Sequence, residues 1–519
     1  MSLATEQGSS GPASCRGLPG RCRARRGWIL VVLSVSLALA AMDTTALNVA
    51  LPSIGRDLHA STGELQWIVD AYVLVYGSLL LTAGRVADRV GRRKVMIAGL
   101  VVFGVTSILA ATASSPSMLI AMRALMGIGG ATLTPTTLAI LYDVFPEKAE
   151  RARAVAIWSG ALGLGVAIGP LIGGLLLERF WWGSVLLANV PVVLLAVVGG
   201  LVVVPESADP GAPKLDLAGV VLSSGGLALG LWGIIEAPSL GWSSVATLAS
   251  LAGAVAALAV FVFVERRSDH PMLSLSLYRD RRFALASVVS VLSFFTVFSV
   301  LFVLPLYLPL VLGYSPLAAG LRILPAAATI LVAAPLSDVI SRRIGGKATA
   351  TIGLLLLAAG SAWLSVSSSS SGYSHVAQAL VPFGFGFGFV LPPIIEAVLG
   401  ALPPEKVAVG SAANSTAEQV GGALGIAVVG SVLTSVIAAR LGTLARAARV
   451  RPGPTSFTKA LSLAQRLSPP LRSRVLEAVR VAFASGLHAA LPIAAGMSLV
   501  AAVVVVLFLP SEAGPGRSR

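Results

Sequence analysis

Gly84-Arg85-Val86-Ala87-Asp88-Arg89-Val90-Gly91-Arg92-Arg93-Lys94 sets five cations and one acid into eleven residues, between two apolar runs at 66–84 and 95–113. Each run has the length of about 20 residues that a bilayer crossing needs. The glycines permit a tight turn between two helices. Asp88 can pair with the arginines or with a helix N-terminus. The stretch therefore reads as a short basic turn between membrane helices, carrying a charge latch able to hold one of two packings.

The same parts return later in the chain. Asp338 and then Arg342-Arg343-Ile344-Gly345-Gly346-Lys347 repeat the acid, the cations and the glycines. Gly127-x-Gly129-x5-Pro135 returns as Gly384-x-Gly386-x5-Pro392, and Gly160-Ala-Leu-Gly163 as Gly422-Ala-Leu-Gly425. The offsets are 250, 257 and 262 residues. Three matches in order at nearly one offset point to duplicated bundles, with the substrate path between them near the bilayer midplane.

Composition agrees. Of 519 residues, 56% are hydrophobic and 12% charged, against roughly 25% charged in a soluble domain. That excludes a soluble enzyme. Glycine (54) is abundant, which suits close helix packing in lipid. Fourteen segments reach spanning length, near 28–51, 66–84, 95–113, 117–144, 154–177, 184–204, 216–236, 245–264, 283–312, 317–339, 348–366, 375–401, 407–438 and 488–510. None alternates with a barrel's period of two. The first runs past the peptidase-like Ala38-Leu39-Ala40 to Leu51, so it is read as a retained span and not a cleaved leader.

The net charge of +15 is a topology signal. With the N-terminus inside, the inner loops hold eighteen lysines and arginines, in clusters at 85–94, 148–153, 214, 266–282, 342–347 and 406. The outer loops before the last hold only Arg56 and Arg179. This is the positive-inside pattern, and nucleic acid is not expected as a partner. Residues 439–487 depart from it, with nine basic residues against Glu477. An even span count still places them outside. There Leu471, Val475, Val479, Ala482 and Phe483 form one helical stripe after Ser468-Pro469-Pro470, and a helix over 456–467 precedes it. The pattern predicts an amphipathic hairpin on the outer surface. Cys15 and Cys22 lie in the N-terminal tail without metal-ligand neighbours.

Further motifs follow the same logic. Gly160-x2-Gly163-x-Gly165-x3-Gly169-Pro170-x2-Gly173-Gly174 allows close helix packing, and Pro170 adds a bend by removing a backbone donor. Span 4 carries Arg123-x3-Gly127-x-Gly129-Gly130-Ala131-x3-Pro135. Span 1 carries Asp43-Thr44-Thr45-Ala46-Leu47-Asn48-Val49-Ala50-Leu51-Pro52, and span 2 carries Trp67-Ile68-Val69-Asp70-Ala71-Tyr72.

From about residue 28 to 510, these motifs resemble the major facilitator superfamily. Gly84–Lys94 is similar to its loop 2–3 signature. The span 5 glycines resemble the antiporter motif of drug exporters, and the Arg123 motif that of proton-coupled members. The span 1 motif resembles that of the fourteen-span drug:proton antiporters, the EmrB/QacA type. The Trp67 motif resembles members that export lipophilic cations. The resemblance implies an all-α integral membrane protein of the major facilitator fold, with two six-helix bundles plus an inserted helix pair. The expected division is a disordered cytoplasmic tail 1–27, an N-terminal bundle 28–204, the inserted pair 205–265, a C-terminal bundle 266–510 with the outer amphipathic loop 439–487, and a tail 511–519. The latch is then Gly84, Asp88, Arg89, Gly91, Arg92 and Arg93. Residues Ala327–Leu331 and Asn414–Thr416 hold no acid where multidrug members often do, a departure from exporters of dicationic drugs.

A charge at mid-membrane costs about 2.5–3.5 kcal/mol on insertion scales, so few are kept without use. Asp43 and Asp70 both fall in the outer half of the bilayer and are expected to face one cavity, sharing proton and cation binding. Arg123 is expected to partner an acid, and Glu418 to be a third proton site. Glu236 reads as a solvated outer boundary; Glu396 stands between a cavity acid and an inner boundary charge. The expected function is proton-coupled export of hydrophobic, cationic drugs. The alternative is export of one endogenous metabolite or lipid on the same fold. The antiporter motif argues against an importer, and the lack of a longer soluble segment against a sensor. Four scattered histidines supply no catalytic or metal constellation, so no enzyme, metal or cofactor is expected beyond the proton gradient. The expected partners are lipophilic small molecules, protons and membrane lipids, for a monomer. Arginine far exceeds lysine, which suggests a GC-rich bacterium and its cytoplasmic membrane, with both termini cytoplasmic.

Overall fold

The computed structural model describes residues 19–208, 216–268, 275–368, 371–402, 407–447 and 469–509. Among them are α1 (Pro19–Asp57), α2 (Thr62–Val90), α3 (Arg92–Ala111), α4 (Pro116–Val144), α5 (Lys148–Arg179), α6 (Gly183–Leu187), α7 (Asn189–Val203), α8 (Leu217–Leu240), α9 (Val245–Arg267), α10 (Arg281–Leu310), α11 (Pro316–Ile344), α12 (Gly346–Ser365), α13 (Tyr373–Gly400), α14 (Val407–Ala447) and α15 (Pro469–Phe508). Counting α6 and α7 together, fourteen helices are long and apolar enough to cross a membrane. Sixth-span continuity breaks at Ala188. Pro191 lacks an N–H, so the helix cannot close its usual bond to the carbonyl four residues back.

Local sequence sets the helix ends. Ser61 caps α2 in a reciprocal box with Glu64. Ser115 and Ser315 cap α4 and α11, each followed by a proline at the first helical position. Gly91 and Gly345 turn the chain into α3 and α12 at φ +124° and +86°, conformations that residues with a Cβ rarely adopt.

The duplication is visible in the packing. Gly129 lies against Gly99 and Phe103, and Gly386 against Gly353 and Leu357. In the N-terminal half α5 lies along α1, with Gly165 against Ala38 and Gly173 against Ala46. In the C-terminal half α14 lies along α10, with Gly421 against Val291 and Gly425 against Phe295. Absence of Cβ atoms lets these backbones touch, which is where dispersion is gained between helices that lipid would solvate equally well.

Among the described residues the halves meet from one end down to the middle of α2, where Gly77 abuts Gln419. Gly174 touches Leu317, Gly320 touches Pro170, and Ser315 Oγ donates to Glu178 Oε1 at 2.9 Å. Gln66 Nε2 donates to the Ile426 and Ala427 carbonyls, each at 3.1 Å. At the other end α5 and α11 stand free: Ile157, Leu162, Leu164, Leu331, Val332, Leu336 and Val339 are all exposed. Gly160 and Gly163 have nothing within 4 Å of a Cβ position. The inserted pair covers one flank of the cleft: Ser431 Oγ donates to Ile234 O at 2.7 Å, and Gly63 lies under Ile235.

Two boundaries change. Helix α1 already includes residues 19–27, leaving 1–18 of the expected tail outside the described residues. Residues 471–485 are not an amphipathic element on the outer surface. They are the first turns of α15, continuous with the last span. The apolar stripe that suggested a surface helix is a protein-packing face: Val479, Ala482 and Phe483 are each 1% exposed, and Phe483 stacks on Tyr307 at 6.3 Å. The preceding helix expected at 456–467 lies outside the described residues, as do Cys15 and the tail 511–519.

Candidate functional site

Asp43 and Arg123 form an ion pair in the centre of the N-terminal half. Arg123 Nη1 lies 2.5 Å from Asp43 Oδ2, and the two side chains are 0% and 1% exposed. Asn189 Nδ2 donates to Asp43 Oδ1 at 2.7 Å and to Ser107 Oγ at 3.0 Å. Arg123 also donates through Nε to Ile68 O at 3.1 Å and stacks over the Tyr72 ring, 4.4 Å from its centroid. Removing two charges from water costs several kcal/mol each, and only good geometry with extra hydrogen bonds offsets it. Here α1, α2, α3, α4 and α7 all contribute. Asn189 and Ser107 were not singled out in the sequence. The available signal was an amide beside Pro191 in an otherwise apolar span.

Asp70 lies elsewhere, and the expectation that it shares a cavity with Asp43 is corrected. Ile68 and Tyr72 hold Arg123 on one face of α2. A residue two positions away on a helix points about 200° round. Asp70 instead shares the face of Gln66 and Gly77, which meets α14 at Ile426 and Gln419. Asp70 is fully buried and neither carboxylate oxygen has a hydrogen-bond partner among the described residues.

Glu418 stands one residue from this contact. Its Oε1 accepts from Asn414 Nδ2 at 2.7 Å. Gly77 of α2 abuts Gln419, with 2.7 Å between a Cβ there and the Gln419 Cβ. Tyr76, beside Gly77, bonds Thr134 Oγ1 through its hydroxyl at 2.8 Å. Glu418 thus neighbours the contact between the halves. Glu396 is exposed near the end of α13, and Glu236 accepts from Ser239 Oγ at 3.1 Å near the end of α8.

The latch residues gather on the N-terminal half alone. Arg92 pairs with Asp88 at 2.8 Å and with Asp143 of α4 at 2.5 Å. Arg93 lies 3.6 Å from Glu206, and Arg92 N donates to Ser207 O at 2.8 Å. Arg89 is exposed, and a Cβ on Gly84 would lie 3.3 Å from Pro135 Cβ. With the halves parted at this end, no described ion pair bridges them. The span 5 motif divides in the same way. Gly165, Gly169 and Gly173 pack on α1, Gly174 on α11, and Gly160 and Gly163 face open space. Pro170 lies where α5 meets Gly320 of α11.

Comparison with known proteins follows this geometry. The sequence model of the Major Facilitator Superfamily matches residues 33–426. The chain belongs to that superfamily. Its relatives include the tetracenomycin C resistance and export protein of Streptomyces glaucescens, 34% identical over 99% of this chain and 96% of the relative. The multidrug efflux pump LfrA of Mycolicibacterium smegmatis is 33% identical over 94% and 98%. The puromycin resistance protein pur8 of Streptomyces alboniger is 35% identical over 83% and 85%. Among solved structures, a bacterial homologue of the human lysosomal transporter Spinster, inward-facing and unoccupied, superposes with a TM-score of 0.62 at 17% identity over 94% and 99%. That likeness concerns the fold. The all-α, fourteen-helix architecture is thus that of a multi-pass membrane transporter.

Proposed function

We propose that the chain is a proton-driven exporter of lipophilic, cationic drugs, working by alternating access between its halves. The observation that carries this is the Asp43–Arg123–Asn189 cluster, a buried acid whose bond to its cation can be exchanged for a proton. Relatives named for drug and antibiotic resistance support the cargo class. The parted end carries the basic turns at 84–94 and 342–347. By the positive-inside rule that end is cytoplasmic, and the structure is then open to the cytoplasm in a bacterial inner membrane, with both termini inside.

The acids take different parts. Asp43 exchanges Arg123 for a proton inside the N-terminal half. Asp70 takes a proton where α2 packs on α14, since an uncompensated charge there costs several kcal/mol. Glu418 takes cargo or a third proton. Exchange of one proton for one monovalent cation moves no net charge and draws on the pH gradient alone, about 1.36 kcal/mol per unit. A second proton adds the voltage, about 2.3 kcal/mol per 100 mV. Dye efflux in everted vesicles tests this: transport should need the proton gradient and vanish in Asp43→Asn. Gradient-independent efflux would overturn the reading. Orientation is checked by cysteine labelling from outside the cell, with Ser114→Cys reacting and Arg343→Cys silent.

A further inference from the structure

The chain has three asparagines in 519 residues, Asn48, Asn189 and Asn414. All three lie in spans and are buried, at 6%, 1% and 4% exposure. A buried amide costs free energy unless it is hydrogen-bonded, so one kept inside a membrane calls for a reason. Two of the three share one arrangement. Asn189 Nδ2 donates to Asp43 Oδ1 at 2.7 Å, and Asn414 Nδ2 donates to Glu418 Oε1 at 2.7 Å. Each half thus sets one membrane acid against one amide. In both pairs the amide oxygen, Oδ1, is buried without a hydrogen-bond partner among the described residues.

A carboxylate only accepts, so the amide nitrogen must face it. Once the acid takes a proton, its new O–H donates, and the nitrogen can no longer meet it. Half a turn about the soft, two-fold Cβ–Cγ bond brings Oδ1 round to accept from that O–H. The acid gains the proton and the bond, while the amide keeps both its hydrogens. The turn trades one unpaired amide end for the other, so it leaves the two protonation states closely balanced. The surroundings permit it. Ser107 Oγ, the second contact of Asn189 Nδ2 at 3.0 Å, can accept or donate. Arg123 keeps its hold on Ile68 O and the Tyr72 ring without Asp43. Among the described residues Arg123 is the charged side chain bonded to Asp43, and none is bonded to Glu418. The other titratable groups close by are tyrosines of α2, Tyr72 under Arg123 and Tyr76 beside Gly77. The charges of α3, α5, α8 and α10 stand at or near helix ends, α7 has none, and those of α15 lie in its outer half.

We propose that Asn189 and Asn414 are two-position partners of Asp43 and Glu418, each turning its amide as its acid gains or loses a proton. They are positioning residues, acting through the acids. This rests on the export reading in taking the acids as proton carriers, and it assigns Glu418 to a proton.

With three asparagines in the chain, an isotope label on the asparagine side-chain carbonyl is nearly site-specific. The test is infrared difference spectroscopy of purified, labelled full-length protein between alkaline and acid pH, beside proton-driven ethidium efflux in everted vesicles. Two labelled bands should fall in frequency at acid pH, as their oxygens begin to accept, while that of Asn48 stays. Asn189→Ser and Asn414→Ser should each remove one moving band, and Glu418→Gln should freeze that of Asn414. Asn189→Leu and Asn414→Leu offer neither group and should each lower coupled efflux at least about tenfold, the worth of a hydrogen bond to a charged group. The serine variants, whose hydroxyl both donates and accepts, should retain it. Wild-type efflux in the leucine variants overturns the proposal, as does an Asn414 band that still moves in Glu418→Gln. If all bands stay fixed while efflux follows the proton gradient, the two-position amides fail and the export reading stands. If the bands move while efflux ignores the gradient, the export reading fails and the two-position amides stand.

Discussion

At the duplication offset of 257 residues, Arg123 of the N-terminal half corresponds to Leu380 of the C-terminal half, and both are fully buried. Around Arg123 lie Asp43, Asn189 and Ser107. Near Leu380 in α13 stand Phe383 and Phe387, packed into an apolar and aromatic core. The backbone devices are nevertheless shared: Gly91 with Gly345, Gly129 with Gly386, and the glycine faces of α5 and α14. Where the N-terminal bundle holds a buried ion pair, the matching place in the C-terminal bundle is apolar, on the same scaffold. A buried pair of this kind is often replaceable by apolar side chains at no loss of stability. The pair in the N-terminal half is therefore explained by chemistry rather than by folding.

The sharpest way to break this comparison is to give the first half the core of the second. Asp43→Asn should abolish coupled transport of every substrate in vesicles. Arg123→Leu alone leaves Asp43 buried without compensation and should cost about 3–5 kcal/mol, seen as a lowered melting temperature. The double variant Asp43→Asn/Arg123→Leu should regain most of that stability while remaining inactive. A double variant as unstable as Arg123→Leu would show that the pair is needed for folding.

The turns give a second contrast. Asp88 is tied through Arg92 to Asp143 on α4. The position matching Asp143 is Gly400, and among the described residues Asp338 pairs only with Arg342 on the surface, 60% and 77% exposed. Asp88→Asn should cripple transport at near-normal expression, because it alters the balance of two packings without emptying a core. Wild-type transport in Asp88→Asn would end the latch idea.

Backbone strain should separate the turns more gently. Alanine at Gly91 or Gly345 forces a sparsely populated positive-φ conformation costing about 1–3 kcal/mol. Gly91→Ala should cost more, since its Cβ would sit 2.7 Å from Glu206 Oε1 while Gly345 has open space. Equal losses in thermal stability would remove Glu206 from the account. The smallest effect is expected for Asp338→Asn, within about 0.5 kcal/mol and with transport retained, as for an exposed pair.

Fourteen spans, the two-fold repeat and the list of costly charges were all legible in the chain, because hydropathy, glycine spacing and the price of a charge in lipid are local properties. The partners of those charges were not. Asp43 meets Arg123 and Asn189, 80 and 146 residues away, and nothing local encodes which helices converge there. Asp70 was placed with Asp43 because both lie at one depth; the direction in which each side of α2 faces depends on where α4 and α14 pack. The stripe at 471–483 has the same pattern whether it lies on a membrane surface or against other helices, and only the burial of Val479 and Phe483 decided it. Periodicity tells which side of a helix is apolar, whereas the tertiary structure alone supplies what that side touches.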